Sequence, residues 1–205
     1  FILLLSVGVQ LRNPSFLTWE NLNDMITNTA ILSILAVGMM LVILTRGIDL
    51  SIGATLALSG MVSALAVSRY PELHPLAAIG IGTGVGLVCG LILGFLVARI
   101  RILPIIATLG MMNVFRGLTY EASGGKWVSA HQMPDSFKDI ATGSLLGINN
   151  LIAIAIFIYA AAYYFVNHTR TGRRIYAVGS NPDSAALNGI RSGKILQLVY
   201  SVMGA

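Results

Sequence analysis

Long, mostly apolar stretches recur along this chain and are the feature that most limits how it can fold. A helix needs about 20 apolar residues to cross a bilayer. Lipid tails offer no hydrogen bonds, so a chain that crosses them must satisfy its backbone internally. We therefore predict an all-α, polytopic transmembrane bundle of about six to seven spans. The predicted spans cover residues 1–11, 25–44, 52–67, 76–98, 105–120 and 150–166, with a further helix starting near 195.

The composition agrees with solvation by lipid, because 56% of the 205 residues are hydrophobic and only 10% are charged. Soluble proteins carry about 25% charged residues. The net charge of +5 indicates basic loops on one membrane face rather than nucleic-acid binding. The single cysteine, Cys89, lies in an apolar run and forms no intrachain disulfide. Both ends, FILLLSVGVQL and QLVYSVMGA, are apolar. We interpret residues 1–205 as one transmembrane domain, truncated inside a helix at each end.

The distribution of basic residues predicts which loops face the cytoplasm, where short loops are enriched in Lys and Arg. If residues 167–194 are cytoplasmic, alternation of the spans places eight cations inside and five outside. The inner cations are Arg46, Arg99, Arg101, Arg170, Arg173, Arg174, Arg191 and Lys194, and the outer ones are Arg12, Arg69, Arg116, Lys126 and Lys138. We therefore predict that residues 167–194 face the cytoplasm.

The segment TRGIDLS, residues 45–51, interrupts two apolar helices with almost no room for a loop. Ionisable groups at this depth usually face a protein interior or a water-filled path. Asp49, with Ser51 as a second oxygen, suits capping of the helix that follows. A broken helix is also a common way to build a polar transport site. The residues leave open whether Asp49 only caps a helix or also contacts a substrate.

A stripe of glycines, Gly82, Gly86, Gly90 and Gly94, repeats every four residues. Since four residues are close to one helical turn, this small-xxx-small stripe predicts close packing against another helix. A second feature is the long polar stretch at residues 121–147, predicted to lie outside. It is long enough for a short interfacial helix, and it is either a solvated loop or a docking surface for an external partner.

Residues 167–194 combine basic side chains with a short helix candidate. Asn181 or Asp183 can cap a helix that ends at Leu187, with Gly189 as its C-terminal stop. A helix of one to two turns is marginal alone, so we expect it to dock on another surface.

No pattern typical of an enzyme is apparent. His74, His131 and His168 are scattered without the spacing of a metal site. There is no phosphate-binding G-x-x-x-x-G-K-[ST] loop, since Gly193-Lys194 is followed by Ile195. We predict no catalytic residues, no cofactor and no metal.

Three segments resemble bacterial ABC-type simple-sugar permeases, the family of the ribose, xylose, arabinose, rhamnose and autoinducer-2 importers. ILAVGMMLVILTRGIDLSIGATLALSG is similar to the family's second and third helices, where the usual text is close to GGIDLSVG and Arg46 replaces the first glycine. RIRILPIIATLGMMNVFRGL and TRTGRRIYAVGSNPDSAALNGI resemble two further family segments, the second being its cytoplasmic loop. The GGKW text is slightly closer to autoinducer-2 and rhamnose permeases than to ribose ones.

The resemblance implies a multi-pass permease subunit of an ABC importer in the bacterial inner membrane. It implies three partners: a cytoplasmic ATPase, a periplasmic sugar-binding protein and a second permease subunit. The ATPase would dock on a coupling loop within residues 167–194, at Gly179, Asn181, Ala185, Ala186, Gly189 and Ile190. Candidates for the substrate pathway are Asp49, Ser51, Thr108 and Asn113.

Other functions stay open at this point. A branched-chain amino-acid permease from the same superfamily is the nearest alternative, although the GIDLS text favours sugars. A self-contained secondary carrier or channel would need intramembrane ionisable groups, and Asp49 is the only good acidic candidate.

Overall fold

The computed structural model describes residues 1–145 and 148–205, and within them the fold is almost entirely helical. The ten α-helices of this part are α1 (Ile2–Arg12), α2 (Trp19–Leu44), α3 (Ile52–Arg69), α4 (Pro75–Phe95), α5 (Pro104–Ser123), α6 (Asp135–Thr142), α7 (Asn150–His168), α8 (Arg170–Ser180), α9 (Pro182–Leu187) and α10 (Ser192–Gly204). A π-helical turn, Leu96–Ile100, continues α4, and a 3-10 turn, Ala130–Gln132, precedes α6. Strands β1 (Ser144–Leu145) and β2 (Ile148–Asn149) pair antiparallel. The predicted all-α fold class is confirmed.

Four helices of the described residues are long and apolar enough to cross a membrane. They are α2, α3, α7 and α4 with its π-helical continuation, and they match four predicted spans. The predicted span at 105–120 corresponds to α5, which is 20 residues long but carries Arg116 and Glu121 in its second half. The end helices α1 and α10 have 11 and 13 residues. The chain is therefore an integral membrane protein.

Two helix assignments differ from the prediction. Helix α2 begins at Trp19 instead of near residue 25, with Glu20 in its first turn, where the helix dipole favours an acid. Residues 170–180, predicted as loop, form α8. Its apolar residues Ile175 and Val178 are buried on one face, as in an amphipathic helix. The basic composition of this short segment concealed that pattern.

The predicted glycine stripe of α4 packs mainly on α10. A Cβ atom on Gly86 would lie 1.9 Å from the carbonyl oxygen of Gly204, and one on Gly90 would lie 2.2 Å from that of Tyr200. Gly82 instead faces α3. The glycine seam against α10 consists of Gly86, Gly90 and Gly94. The two backbones are in direct contact there, as small residues permit between membrane helices.

Segments that are distant in sequence meet at one end of the bundle. The Arg46 guanidinium donates a hydrogen bond to the carbonyl of Ser180, which joins the helix break to the end of α8. The start of α10 packs on the π-helical turn, where a Cβ on Gly193 would lie 3.4 Å from the Ala98 carbonyl oxygen. The break thus contacts the end of α8, and the π-helical turn contacts the start of α10.

Candidate functional site

The break between α2 and α3 begins with an unusual helix end. The N–H of Gly47 donates to the Val42 carbonyl at 3.0 Å, and the N–H of Arg46 donates to the Ile43 carbonyl at 2.9 Å. These two bonds form a Schellman motif, in which Arg46 takes the left-handed position with φ of 63°. Glycine is the usual residue there. Arg46, which replaces a glycine of the resembling permeases, therefore adopts a backbone conformation suited to that glycine.

Asp49 and Ser51 are entirely buried within the break. The Asp49 Oδ1 atom accepts hydrogen bonds from the backbone N–H and the hydroxyl of Ser51, both at 2.7 Å. Ser51 has αR backbone angles and makes no side-chain cap to α3, whereas capping residues are usually extended. The expected capping oxygen of Ser51 is therefore wrong, because its hydroxyl donates to Asp49 instead. Asp49 organises the turn that leads into α3.

Two further polar side chains approach this turn from other helices. Thr108 of α5 is completely buried, and its hydroxyl lies 3.4 Å from the Ile48 carbonyl oxygen. The hydroxyl of Tyr200, from α10, lies against Gly47, where an added Cβ would be 2.8 Å from it. Within the described residues, Asp49 Oδ2 and the Tyr200 hydroxyl have no hydrogen-bond partner. The break therefore holds two buried polar atoms with unused hydrogen-bonding capacity.

Asn113, the fourth candidate for the substrate pathway, does not join this group. It is exposed on α5, and its side-chain amide donates to the Leu109 carbonyl of its own helix at 3.0 Å. It lies five positions after Thr108, so the two side chains point to different faces of α5. The structure thus brings Asp49, Ser51 and Thr108 together and leaves Asn113 on an outward face.

The predicted coupling loop contacts the break through Gly179. A Cβ on this glycine would lie 1.7 Å from the carbonyl oxygen of Leu44, the last residue of α2. Only a residue without a side chain allows that approach. The adjacent Ser180 carbonyl accepts the Arg46 hydrogen bond. The end of α8 is thus fastened to the end of α2 by one backbone contact and one side-chain bond.

The short helix α9 is built by its two ends. The Asn181 side chain accepts hydrogen bonds from the N–H groups of Asp183 and Ser184, each at 3.0 Å. At the other end, Gly189 has φ of 74°, and the Ile190 N–H donates to the Ala185 carbonyl at 3.0 Å. Asn181 is thus the cap, rather than the alternative Asp183. Gly189 forms the expected C-terminal stop as part of a Schellman motif.

The two faces of α9 have opposite surroundings. Ala185 is buried in the hydrophobic core, and Ile190 packs against that core. Ala186 is exposed, and Leu187 is 90% exposed. One face of α9 therefore anchors the helix to the bundle, while the other presents an apolar side chain.

The predicted outer stretch contains α6 and an exposed aromatic residue. Trp127 is 89% exposed. In α6, the Lys138 ammonium lies 2.6 Å from the Asp135 carboxylate, and this hydrogen bond and charge lower the pKa of Asp135. Whether this stretch is solvated or docks an external partner stays a prediction.

Sequence reasoning did not find Tyr200 or the conformation of Arg46. Tyr200 lies in an apolar run, where a tyrosine is an ordinary core residue. Only the fold places its hydroxyl at the break. For Arg46, the glycine at this position in the resembling permease sequence was a usable signal, since glycine is the residue that most readily adopts positive φ.

Comparison with known proteins places the chain in a family. Residues 21–205 match the family model described as the permease component of the branched-chain amino acid transport system. The chain is 39% identical over 205 residues to the ribose import permease protein of Escherichia coli K12, covering 99% of this chain and 63% of that protein. No solved structure matches.

Two further relatives are named for other substrates. The autoinducer 2 import system permease protein of Enterobacter sp. 638 is 31% identical, over 94% of this chain and 55% of that protein. The fructose import permease protein of Rhizobium meliloti is 33% identical, over 98% of this chain and 57% of that protein. The chain spans less than two thirds of the length of these relatives. It belongs to the family of transport-system permease components that includes the ribose, autoinducer 2 and fructose import permeases.

Proposed function

We propose that this chain forms part of the translocation path of an ABC importer for a simple sugar in the bacterial inner membrane. Residues 167–194 would be the cytoplasmic coupling loop. A separate ATPase, a periplasmic binding protein and a second permease subunit would complete the transporter. The chain itself would transport and would not hydrolyse ATP.

The observation that carries this proposal is the direct connection between the loop and the helix break. Gly179 packs on the Leu44 carbonyl, and Arg46 bonds to the next residue of α8. Backbone groups in contact cannot be compressed, because protein interiors are packed as densely as organic crystals. A displacement of α8 and α9 by a cytoplasmic partner would therefore move the end of α2 with it.

The exposed face of α9 suits an apolar docking site for the ATPase. Leu187 is almost fully accessible, and the helix is held from behind by Ala185. A helix of six residues is marginal alone, yet its cap and its anchor keep it formed before the partner binds. Such preorganisation reduces the entropic cost of association.

The polar atoms at the break would respond to that motion. Asp49 follows the end of α2 in the chain, whereas Thr108 lies on α5, so Asp49 would shift relative to Thr108 when α2 shifts. A change in their positions alters where Asp49 Oδ2 can accept a hydrogen bond. Coupling would thus pass from α9 through α8 to the break, in the manner of alternating access between rigid helical bodies.

The named relatives favour a simple sugar, since they import ribose, autoinducer 2 and fructose. The family description favours a second candidate, a branched-chain amino acid. We would measure uptake of labelled ribose, rhamnose, fructose, autoinducer 2 and leucine in cells that carry the complete transporter. We expect uptake of one sugar-like compound and none of leucine. Uptake that persists without the partner ATPase would instead identify a secondary carrier.

The docking face is tested by Ala186→Glu, which places a charge beside Leu187. We expect loss of ATPase co-purification with normal membrane insertion. Ala130→Glu makes the same substitution at an exposed alanine of the predicted outer stretch and should leave co-purification unchanged. Equal co-purification of the ATPase by both variants would contradict the docking site.

A further inference from the structure

A groove with a strongly positive lining lies between the π-helical turn and the start of α10. Its volume is about 800 Å³. Four of its lining residues are cationic: Arg99 and Arg101 after α4, and Arg191 and Lys194 at the start of α10. We call it the basic groove. It is separate from the break and from the exposed face of α9.

No acidic residue lines the basic groove within the described part of the chain. The salt bridge found among residues 1–145 and 148–205 joins Lys138 to Asp135, far from it in sequence. Four cations around one cavity repel one another, and an anion between them removes that repulsion. The charge pattern therefore indicates an anionic ligand.

The backbone around the basic groove also favours an anionic ligand. Helix α10 begins at Ser192 without a side-chain cap. The Lys194 N–H donates to the Arg191 carbonyl at 2.9 Å, so the N–H groups of Ser192 and Gly193 are the ones available at the positive end of the helix dipole. On the opposite wall, Arg101 has φ of 64°. Non-glycine residues hold this conformation at a cost, and such residues concentrate at functional sites.

The position of the groove identifies the kind of anion. The apolar span that starts at Pro75 ends at Ile100, directly before Arg101. The groove is thus at the level where a membrane helix leaves the hydrocarbon region and meets the lipid phosphates. Leu196 and Leu198, both half-buried, also line it, and they provide an apolar wall for the part of an acyl chain nearest the headgroup.

We infer that the basic groove binds the phosphodiester headgroup of an anionic phospholipid, such as a phosphatidylglycerol. The four cations would contact the phosphate, and the apolar wall would contact the lipid glycerol and acyl carbons. Basic pockets between membrane helices are known to suit such headgroups. The inference does not depend on which substrate the transporter carries.

The test uses native mass spectrometry of the complete purified transporter, titrated with dioleoyl-phosphatidylglycerol, with the neutral dioleoyl-phosphatidylcholine, or with inorganic phosphate. We expect saturable binding of phosphatidylglycerol and neither of the other two. Equal binding of phosphatidylcholine would overturn the inference. Displacement of the lipid by millimolar phosphate would assign the groove to a free anion instead.

Two variants separate binding from folding. Arg101→Gly removes a cation but suits the positive φ better than arginine, so folding should be no weaker while lipid binding falls about fivefold. Arg191→Gln with Lys194→Gln should weaken binding about 30-fold. The control Arg12→Gln removes an exposed cation at the end of α1 and should change nothing. Unchanged lipid binding in both groove variants would refute a lipid site.

Discussion

The close contact at the glycine seam between α4 and α10 predicts that one added methyl group will lower the stability of the protein. Gly90→Ala adds a Cβ that would lie 2.2 Å from the Tyr200 carbonyl oxygen. Gly84→Ala, on the same helix, adds the same atom where nothing lies within 4 Å. The two variants gain the same helix propensity, about 1 kcal/mol. Their difference therefore isolates the cost of the contact.

The magnitude follows from the distance. Ordinary contacts of a Cβ begin at 3.4 Å, so α10 must move away from Gly90 by about 1 Å, the gap between 2.2 and 3.4 Å. The atom in the way belongs to the backbone and cannot rotate aside. Overpacking of this kind costs about 1–3 kcal/mol. At about 2–4 °C per kcal/mol, the melting temperature of Gly90→Ala should lie about 2–12 °C below that of Gly84→Ala.

The assay is thermal unfolding of the complete transporter in detergent, followed by the loss of the monodisperse peak in size-exclusion chromatography. Gly80→Ala is a second control on α4 with an open environment. If Gly90→Ala melts with the two controls, the close contact between α4 and α10 does not exist as described. If all three variants melt early, the effect comes from the helix and not from the seam.

Three further predictions concern the break and α9. Asp49→Ala leaves the buried donors of Ser51 without an acceptor and should lower the unfolding free energy by about 1–3 kcal/mol. Asp49→Asn keeps an acceptor oxygen and should lower it less. Equal losses of unfolding free energy for the two variants, measured by chemical unfolding, would contradict the role of Oδ1. Arg46→Gly and Arg46→Ala both lose the hydrogen bond to Ser180, but only glycine adopts the left-handed backbone conformation without strain. The unfolding free energy of Arg46→Gly should therefore be about 1 kcal/mol higher than that of Arg46→Ala, with a higher melting temperature. A lower melting temperature for Arg46→Gly would disprove the strain. Gly189→Ala adds a Cβ in open space but places a residue with a side chain at positive φ, at a cost of about 1 kcal/mol. Hydrogen exchange of the Ile190 amide should accelerate without loss of membrane insertion. Unchanged exchange would show that the Schellman motif tolerates alanine.

The parts of the fold that sequence reasoning predicts are those decided locally or by the membrane. Span positions follow from apolar length, because a bilayer has a nearly constant thickness. The ends of α9 follow from Asn181 and Gly189, whose side-chain and backbone properties act within a few residues. The glycine stripe predicts close helix packing because its four-residue spacing places all of the glycines on one face of α4.

What sequence reasoning missed depends on distant contacts. The stripe does not say that its partner is α10, since any small-residue surface would fit. The hydroxyl of Tyr200 reaches the break only because α10 packs along α4. Asn113 and Thr108 look equivalent in sequence, and the rotation of α5 separates them. Helix α8 was missed because its stabilising burial of Ile175 is a tertiary contact.

The contact of α4 with α10 also bears on where this bundle can deform. The carbonyl oxygens of Tyr200 and Gly204 lie against the Cα atoms of Gly90 and Gly86. This contact prevents α4 and α10 from sliding along each other, so the two helices move as one rigid body. Between α2 and α7 the surface is looser, with a cavity of about 510 Å³ lined by Met25, Ile26, Ile152 and Ile156 among others. Shear between helices needs side chains that can change rotamer during small displacements. A gating motion would therefore displace α2 relative to α7. Helices α4 and α10 would keep their relative positions, so the Tyr200 hydroxyl would stay in place while the break moves.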